Sequence, residues 1–304
     1  MKKTTLGTLA IIACNTIFGF SFLFSKVALS ITTPFVLLSI RFITAFLALN
    51  LLVLTGKVRI SLKGKPVKLL LLLGLFQPVI YFVCENYGIS MTTASFAGVL
   101  LGAFPVVGLV FGRIFLKETV TRLQFVCSLI SVVGVAMTTT GGGGTFSPLG
   151  AVLLVCAMLS GAFFNVLSRG ISDRFSAFER TYVMFAFGSV VFTVIALFQN
   201  KGDVSALLLP LSNPRFWIPL LYLAVLSSVC AFMLANYGLN YVSVSKSALY
   251  SNFTTVVSVL AGILIMKDAF TPLQLVGVVI IIVSVFGVSY QKEPAEEHQP
   301  SVGE

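Results

Sequence analysis

The chain has 304 residues, of which 57% are hydrophobic and only 10% charged, with a formal net charge of +10. A soluble domain carries about 25% charged residues, so this composition excludes a water-soluble globular protein and points to an integral membrane protein. The positive balance does not imply nucleic acid, because the charges fall in short breaks between apolar runs. His298 is the only histidine, and Cys14, Cys84, Cys127, Cys156 and Cys230 lie inside apolar runs without a CxxC spacing, as packing residues would. A His-based proton relay, a zinc site and a disulfide framework all lack support, and no cofactor is expected.

Met1-Lys2-Lys3 opens an apolar run that continues past Ile17 with no small-residue cleavage pattern before Lys26. It reads as a retained first span rather than a signal peptide. Runs of membrane-spanning length, about 20 residues, are predicted near 5–29, 34–54, 68–90, 95–116, 122–140, 148–168, 178–198, 216–241, 245–266 and 272–290. The breaks are too short to hold a soluble domain; the longest, Gln199 to Arg215, contains Asn200, Gly202, Asp203 and Pro210. Four glycines at 141–144 ahead of Ser147-Pro148 mark a seam, dividing the chain into residues 1–144 and 145–290. Residues 291–304 form a polar tail expected to be disordered.

The halves are related. Asn86-Tyr87-Gly88 returns as Asn236-Tyr237-Gly238, and 236 minus 86 gives an offset of 150. The same offset maps Pro105-Val106-Val107 onto Thr255-Val256-Val257, Gly112 onto Gly262, Lys117-Glu118 onto Lys267-Asp268, Thr121 onto Thr271 and Gln124 onto Gln274. At an offset of 143, Leu6-Gly7 and Lys26 match Leu149-Gly150 and Arg169. A register held this long is an internal duplication. With the N-terminus inside, fifteen Lys and Arg residues fall on the cytoplasmic side and only Lys201, Arg215 and Lys267 outside. Both termini are therefore expected to be cytoplasmic. Five spans per half, an odd number, insert the second half upside down. Inverted repeats place a substrate site near the midplane, between halves that rock against each other.

Charges inside spans cost about 2.5–3.5 kcal/mol on insertion scales and by default mark function. Lys26, Arg41 and Glu85 are the clearest. At about 1.5 Å per residue, Lys26 sits about 30 Å along span one, Arg41 about 10 Å below the outer end of span two, and Glu85 about 25 Å up span three. All three fall in the outer half, where Glu85 can pair with Arg41 or with Lys26. One reading is an external gate, or a carboxylate that holds a cationic or amino substrate and trades it for a proton. The plainer one is a static ion pair tying spans one to three, with Arg41 snorkelling toward the outer interface.

Gln77, Tyr81, Glu85 and Gly88 share one helical face, as do Asn15, Gly19, Phe22 and Lys26. In lipid such stripes face protein or a water-filled cavity; interhelical hydrogen bonding is the alternative. In the second half, Tyr250, Ser251, Thr254, Thr255 and Ser258 form a milder stripe, with Asn236 and Asn240 on span eight and Asn165 and Tyr182 as further candidates. No acid is expected inside the spans of the second half, so the cavity is expected to be electrically asymmetric. Gly98, Gly102, Pro105, Gly108 and Gly112 lie along one face of span four. Close packing is the simple account, and a hinge at Gly19, Gly98, Gly102 and Pro105 the sharper one. The two Asn-Tyr-Gly copies read as helix ends, with Gly as terminator.

Phe18-Gly19-Phe20-Ser21-Phe22, Lys26, Pro34 and Arg41-Phe42 form a pattern that resembles the first two spans of the EamA family, in the drug/metabolite transporter superfamily. The resemblance continues through Ala94-Ser95, Pro105-Val106, Lys117-Glu118, Gln124 and Gly134-Val135. It recurs in Ser245, Val256-Val257, Lys267-Asp268 and Gln274 to Gly277, so that it covers residues 5–290. Phe18 stands where the family usually has Trp, and Thr255 replaces the proline of the second half. The resemblance implies a ten-helix fold with a central cavity built from spans 1–4 and 6–9. It places spans five and ten at the periphery or in homodimer contacts, and implies export or exchange of small metabolites or amino acids.

The reading is an all-α integral membrane protein of ten transmembrane helices, arranged as two inverted five-helix repeats around a central cavity. It is a secondary transporter of a small molecule, coupled to protons or exchange through Glu85, set among membrane lipid in a bacterial cytoplasmic membrane. A membrane-embedded enzyme needs a nucleophile–base pair, a metal cluster or paired carboxylates at depth, and none is evident. A non-transporting receptor is the other alternative, although it has little need of an inverted duplication.

Overall fold

The computed structural model describes residues 3–56, 58, 60–91, 100–138, 147–266 and 271–289. Every regular element among them is helical. In chain order these are α1 (Lys3–Leu29), α2 (Pro34–Leu54), α3 (Lys68–Gly74), α4 (Tyr81–Ser90), α5 (Phe104–Leu116), α6 (Arg122–Thr138), α7 (Pro148–Gly170) and α8 (Ala177–Gln199). They continue with α9 (Ser205–Leu208), α10 (Pro214–Leu221), α11 (Ala231–Gly238), α12 (Val244–Ser251), α13 (Phe253–Ala261) and α14 (Pro272–Ser289). Pro34, Pro148 and Pro214 each open a helix, where a missing N–H costs nothing and the fixed φ suits the first turn. Ser147, Ser176, Asn213 and Ser243 cap the helices that follow them.

Six helices are long and apolar enough to cross a bilayer: Lys3–Leu29, Pro34–Leu54, Lys68–Gly88, Pro148–Gly170, Ala177–Gln199 and Pro214–Gly238. Leu100–Leu116, Arg122–Thr138 and Pro272–Gly287 are shorter apolar helices. The expected regular spans 68–90, 216–241 and 245–266 are each irregular, span three most of all at Gln77. Widened π-type turns occupy Leu75–Ile80, Tyr222–Cys230 and Gly262–Met266, and α12 and α13 part at Asn252.

In lipid, helices gain nothing from apolar burial against each other, so close backbone approach and hydrogen bonds hold the bundle together. α2 packs on α8, α4 on α7, α5 on α12, α6 on α14, and α1 on both α11 and α13. Glycines set several of these approaches. A Cβ at Gly88 would lie 2.7 Å from Leu154 and 3.2 Å from the Gly150 carbonyl, and one at Gly238 would lie 2.5 Å from Ile11 and 3.1 Å from the Gly7 carbonyl. Both glycines were expected to terminate helices; Gly238 does end α11, whereas α4 runs past Gly88 to Ser90. Their lack of a side chain admits the first helix of the other half. Gly134 and Gly277 meet in the same way: a Cβ on either would come within 2.9 Å of the other's carbonyl oxygen. The small-residue faces of spans five and ten are thus used on each other within one chain. Cys156 also departs from expectation, being exposed rather than packed.

Candidate functional site

The irregular backbone lies beside the candidate site residues. In span three, Gln77 leaves the helix at φ −142°, ψ 120°, and Pro78 follows inside the widened turn. Adding 150 to 77 and 78 reaches Ser227 and Ser228, inside the widened turn of span eight. Those two serines receive Arg41: its Nε donates to Ser228 Oγ at 2.8 Å and a terminal nitrogen to Ser227 Oγ at 3.0 Å. Ser21 donates to Ser227 from α1 at 2.7 Å. The guanidinium also lies 5.8 Å from the ring of Phe42 and 5.6 Å from that of Phe82, and Arg41 is 6% exposed. It does not snorkel. It is an interior cation anchored on neutral hydroxyls.

One turn beyond the break, Tyr81 donates its hydroxyl to Glu85 Oε1 at 3.1 Å. The Tyr81 ring borders Gly161 of α7, where a Cβ would sit 3.4 Å away. Arg41 and Glu85 are near enough to feel each other's charge, yet they form no direct ion pair. Among the described residues the ion pairs are Lys65–Glu179 and Arg169–Glu118. The Lys26 side chain lies outside the described residues. The described geometry thus gives a buried cation and a half-buried carboxylate, each resting on neutral partners.

A second pair of breaks lies between spans four and nine. The backbone turns at Ala103, immediately before α5, and again at Asn252. Asn252, which is 150 residues beyond Gly102, donates its Nδ2 to the Gly102 carbonyl at 3.2 Å and to Ser131 Oγ at 3.0 Å. Pro105 therefore sits in the first turn of α5, just past the break. A Cβ at Gly102 would fall 2.4 Å from Val135, and one at Gly19 would fall 2.5 Å from Val257 and 2.9 Å from the Thr254 carbonyl. Asn15 joins this region, accepting from the Thr254 hydroxyl at 3.1 Å. Gly98 lies outside the described residues.

Other sequence candidates stand apart from this constellation. Tyr182 donates to Asn50 at 2.8 Å, tying α8 to α2. Tyr250 is 1% exposed within an apolar cluster that includes Ile11 and Val256, and Ser251 donates to the Ala248 carbonyl at 2.6 Å. Asn165 is half-buried on α7. Asn236, fully buried, accepts from Ser168 at 2.6 Å and donates to Thr181 at 2.9 Å.

Asn236 belongs to a third cluster at one end of the bundle, which sequence reading took for loop charges and helix ends. Lys117 adopts a left-handed φ of 54° and lets the Glu118 N–H close on the Gly112 carbonyl at 3.1 Å. This turns the Glu118 carboxylate back onto α12, where it accepts from Val244 N at 2.7 Å, Ser245 N at 3.0 Å and Ser245 Oγ at 2.7 Å. Gly112 makes the room, since a Cβ there would lie 2.5 Å from Glu118 Oε2. Arg169 Nε lies 3.5 Å from Glu118 Oε1, while its NH1 donates to the carbonyls of Leu239 and Val242. Arg180, 0% exposed, joins α7 to α11 by donating to Ser168, to the Asn236 carbonyl and to Asn240, and its Nε finds no partner among the described residues. The copy of Glu118, Asp268, lies outside the described residues.

The second half does carry a buried acid, at a helix end. Glu179 is 3% exposed in the first turn of α8, bound to Lys65 Nζ at 2.9 Å and to the Ser61 N–H at 3.0 Å. The acid–base doublet Glu179-Arg180 ahead of an apolar run was the available signal. Ser227-Ser228 had one too, as the copy of Gln77-Pro78.

Glu118 caps the first-turn amides of α12, and a lost cap costs about 1–2 kcal/mol. Glu118→Ala is therefore expected to raise deuterium exchange at Val244 and Ser245 about five- to thirtyfold. Unchanged exchange there would show that the carboxylate holds nothing.

An all-helical, hydrocarbon-coated bundle with broken helices around interior charges defines a membrane transporter as a class. The model of the EamA-like transporter family matches residues 5–140 and 148–290. The uncharacterized transporter YcxC of Bacillus subtilis (strain 168) is 34% identical over 96% of this chain and 95% of its own. The uncharacterized inner membrane transporter YedA of Escherichia coli (strain K12) is 26% identical over 83% of this chain and 80% of its own. A solved structure described only as a crystal structure of protein superposes with a TM-score of 0.77 at 17% identity, over 93% of this chain and 96% of that one, and shows the fold alone. The chain belongs to the EamA-like transporter family and is an integral membrane protein.

Proposed function

We propose that this protein is a secondary transporter that moves a small metabolite or amino acid, in the export direction, by alternating access between two inverted five-helix repeats, residues 1–144 and 145–290. One observation carries the reading. Span three breaks at Gln77-Pro78, span eight widens into π-type turns over the copy positions Ser227-Ser228, spans four and nine turn at Ala103 and Asn252, and Asn252 bonds directly to its own copy position, Gly102. Interrupted helices in corresponding places of two halves are where transporters hold substrate. The reciprocal contacts of Gly88 with Gly150 and Leu154, and of Gly238 with Gly7 and Ile11, support the two-repeat arrangement, because 150 and 154 lie 143 residues beyond 7 and 11.

In this reading Arg41 and Glu85 face the substrate, Tyr81 orients Glu85, and Asn15 and Gln77 line the path. The Glu118–Arg169–Arg180 cluster seals the cytoplasmic end, and both termini lie on that side of a bacterial inner membrane. A homodimer would use the hydrocarbon face of α14 left over from its packing on α6.

The test begins with thermal stability of purified protein against amino acids, nucleosides, sugars, polyamines and lipophilic cations. A ligand of the folded state adds about 2.7 kcal/mol at a hundredfold excess over its dissociation constant. The class that stabilises is expected to show counterflow into substrate-loaded proteoliposomes and none into protein-free ones. Stabilisation without counterflow would replace the transporter with a receptor.

A further inference from the structure

A groove of about 500 Å³ opens on the bundle surface between the end of α5 and the start of α6, lined by Arg113, Val120, Thr121, Arg122, Phe125 and Val126. We propose that this groove is a binding site for an anionic phospholipid, with Arg113 and Arg122 holding the headgroup and the exposed face of α6 carrying an acyl chain.

Three observations converge on that occupant. Both arginines are exposed, and neither has a carboxylate within ion-pair distance among the described residues. The nearest acid in sequence, Glu118, is turned inward onto α12 and Arg169. Two unpaired guanidiniums beside hydrocarbon suit a phosphate diester that lies at the same depth.

Below the arginines, Phe125, Val126, Leu129, Ile130 and Val133 are each 44–55% exposed and recur at helical spacing along one face of α6. From Arg122 to Val133 the helix rises about 16 Å, roughly half of a hydrocarbon core about 30 Å thick. The stripe has the length of one leaflet.

The duplication supplies a built-in control. Thr121 and Gln124 cap each other at the start of α6, and their copies Thr271 and Gln274 do the same before α14. The positions of Arg113 and Arg122, advanced by 150, hold Ile263 and Pro272. The Thr–Gln cap recurs in both halves, whereas the two cations occur in one. A charge pair kept on a single face of the membrane matches the one-sided distribution of anionic lipid. Only the assignment of that face to the cytoplasmic leaflet rests on the orientation proposed above.

Delipidated, purified protein titrated with phosphatidylglycerol and read by native mass spectrometry tests the site without any transport substrate. Phosphatidylglycerol is expected to be retained on the wild type over phosphatidylcholine. The double variant Arg113→Gln/Arg122→Gln is expected to bind it about thirtyfold more weakly, roughly 2 kcal/mol at 1.4 kcal/mol per decade. Arg113→Lys/Arg122→Lys should keep most of the binding, and Lys201→Gln/Arg215→Gln, at the other end, should leave it unchanged. Equal retention of phosphatidylcholine, an undiminished signal in the Gln pair, or full competition by inorganic phosphate would each overturn the assignment. Because the readout is binding, a failed transport assay and a failed lipid site give separate results.

Discussion

Glu85→Gln is expected to slow transport about ten- to hundredfold while the amount of folded protein in the membrane stays near wild type. The side chain rests on a single described partner, the Tyr81 hydroxyl at 3.1 Å, and a glutamine carbonyl still accepts that bond, though more weakly. What glutamine removes is the charge. A hydrogen bond to a charged group contributes about 1.5–3 kcal/mol, which corresponds to about one to two decades of rate or affinity. Charge within a span itself costs about 2.5–3.5 kcal/mol on insertion, so the neutral variant has no reason to fold less well. Initial rates in proteoliposomes at several pH values make the check. If Glu85 carries the coupling proton, the wild type responds to pH and the variant is flat. Matching rates and matching pH responses would remove Glu85 from the mechanism and leave Arg41 as the principal charge.

The largest effect on stability is expected from Gly108→Ala. A Cβ at this position would lie 2.2 Å from the Cβ of Ala248, against about 3.5–4.0 Å for an ordinary carbon contact. Neither alanine has a rotamer through which to escape, so the backbones of α5 and α12 must separate by more than an ångström. Overpacking of this kind costs about 1–3 kcal/mol. It acts on the same helix pair that Glu118 bridges. A lower unfolding midpoint is expected, together with faster exchange over α12. Ala248→Gly on the Gly108→Ala background is expected to recover most of the loss, because contacting sites are not additive. A wild-type midpoint in Gly108→Ala would mean that the crossing is looser than its glycine requires.

Much of the architecture can be read from the chain. Apolar run lengths give helices of membrane length, and Asn86-Tyr87-Gly88 returns at 236–238, with Gly88 and Gly238 both in close helix contacts. The interior charges Arg41 and Glu85 stand out because hydrocarbon makes them costly. The local breaks were less accessible. Gln77-Pro78 carries a proline, but Ser227-Ser228 and Asn252 look like ordinary polar residues of a span. Their meaning appears only when each is set against its copy 150 residues away.

The charged cluster at one end of the bundle was harder still. Glu118, Arg169 and Arg180 all lie at ends of helices, where Lys, Arg and Glu normally meet water. Nothing local distinguishes a charge that bends back into a helix junction from one that faces the cytosol. That difference depends on Lys117 taking a left-handed turn and on Gly112 leaving space for a carboxylate. Such long-range fits are invisible to periodicity. The absence of a direct Glu85–Arg41 ion pair was likewise out of reach, because sequence shows which opposite charges exist and not which neutral hydroxyls compete for them.

The contact between α6 and α14 sets a timetable for biogenesis. α6 ends at Thr138 and its glycine-lined partner begins at Pro272. At about 5–20 residues per second of synthesis, α6 spends roughly 7–27 s in the bilayer with the Gly134 notch facing lipid. Throughout that interval the half-made protein displays a small-residue groove fitted to another helix. Membrane chaperones and intramembrane quality control would meet it in that form, and the arrival of α14 hides the groove from them.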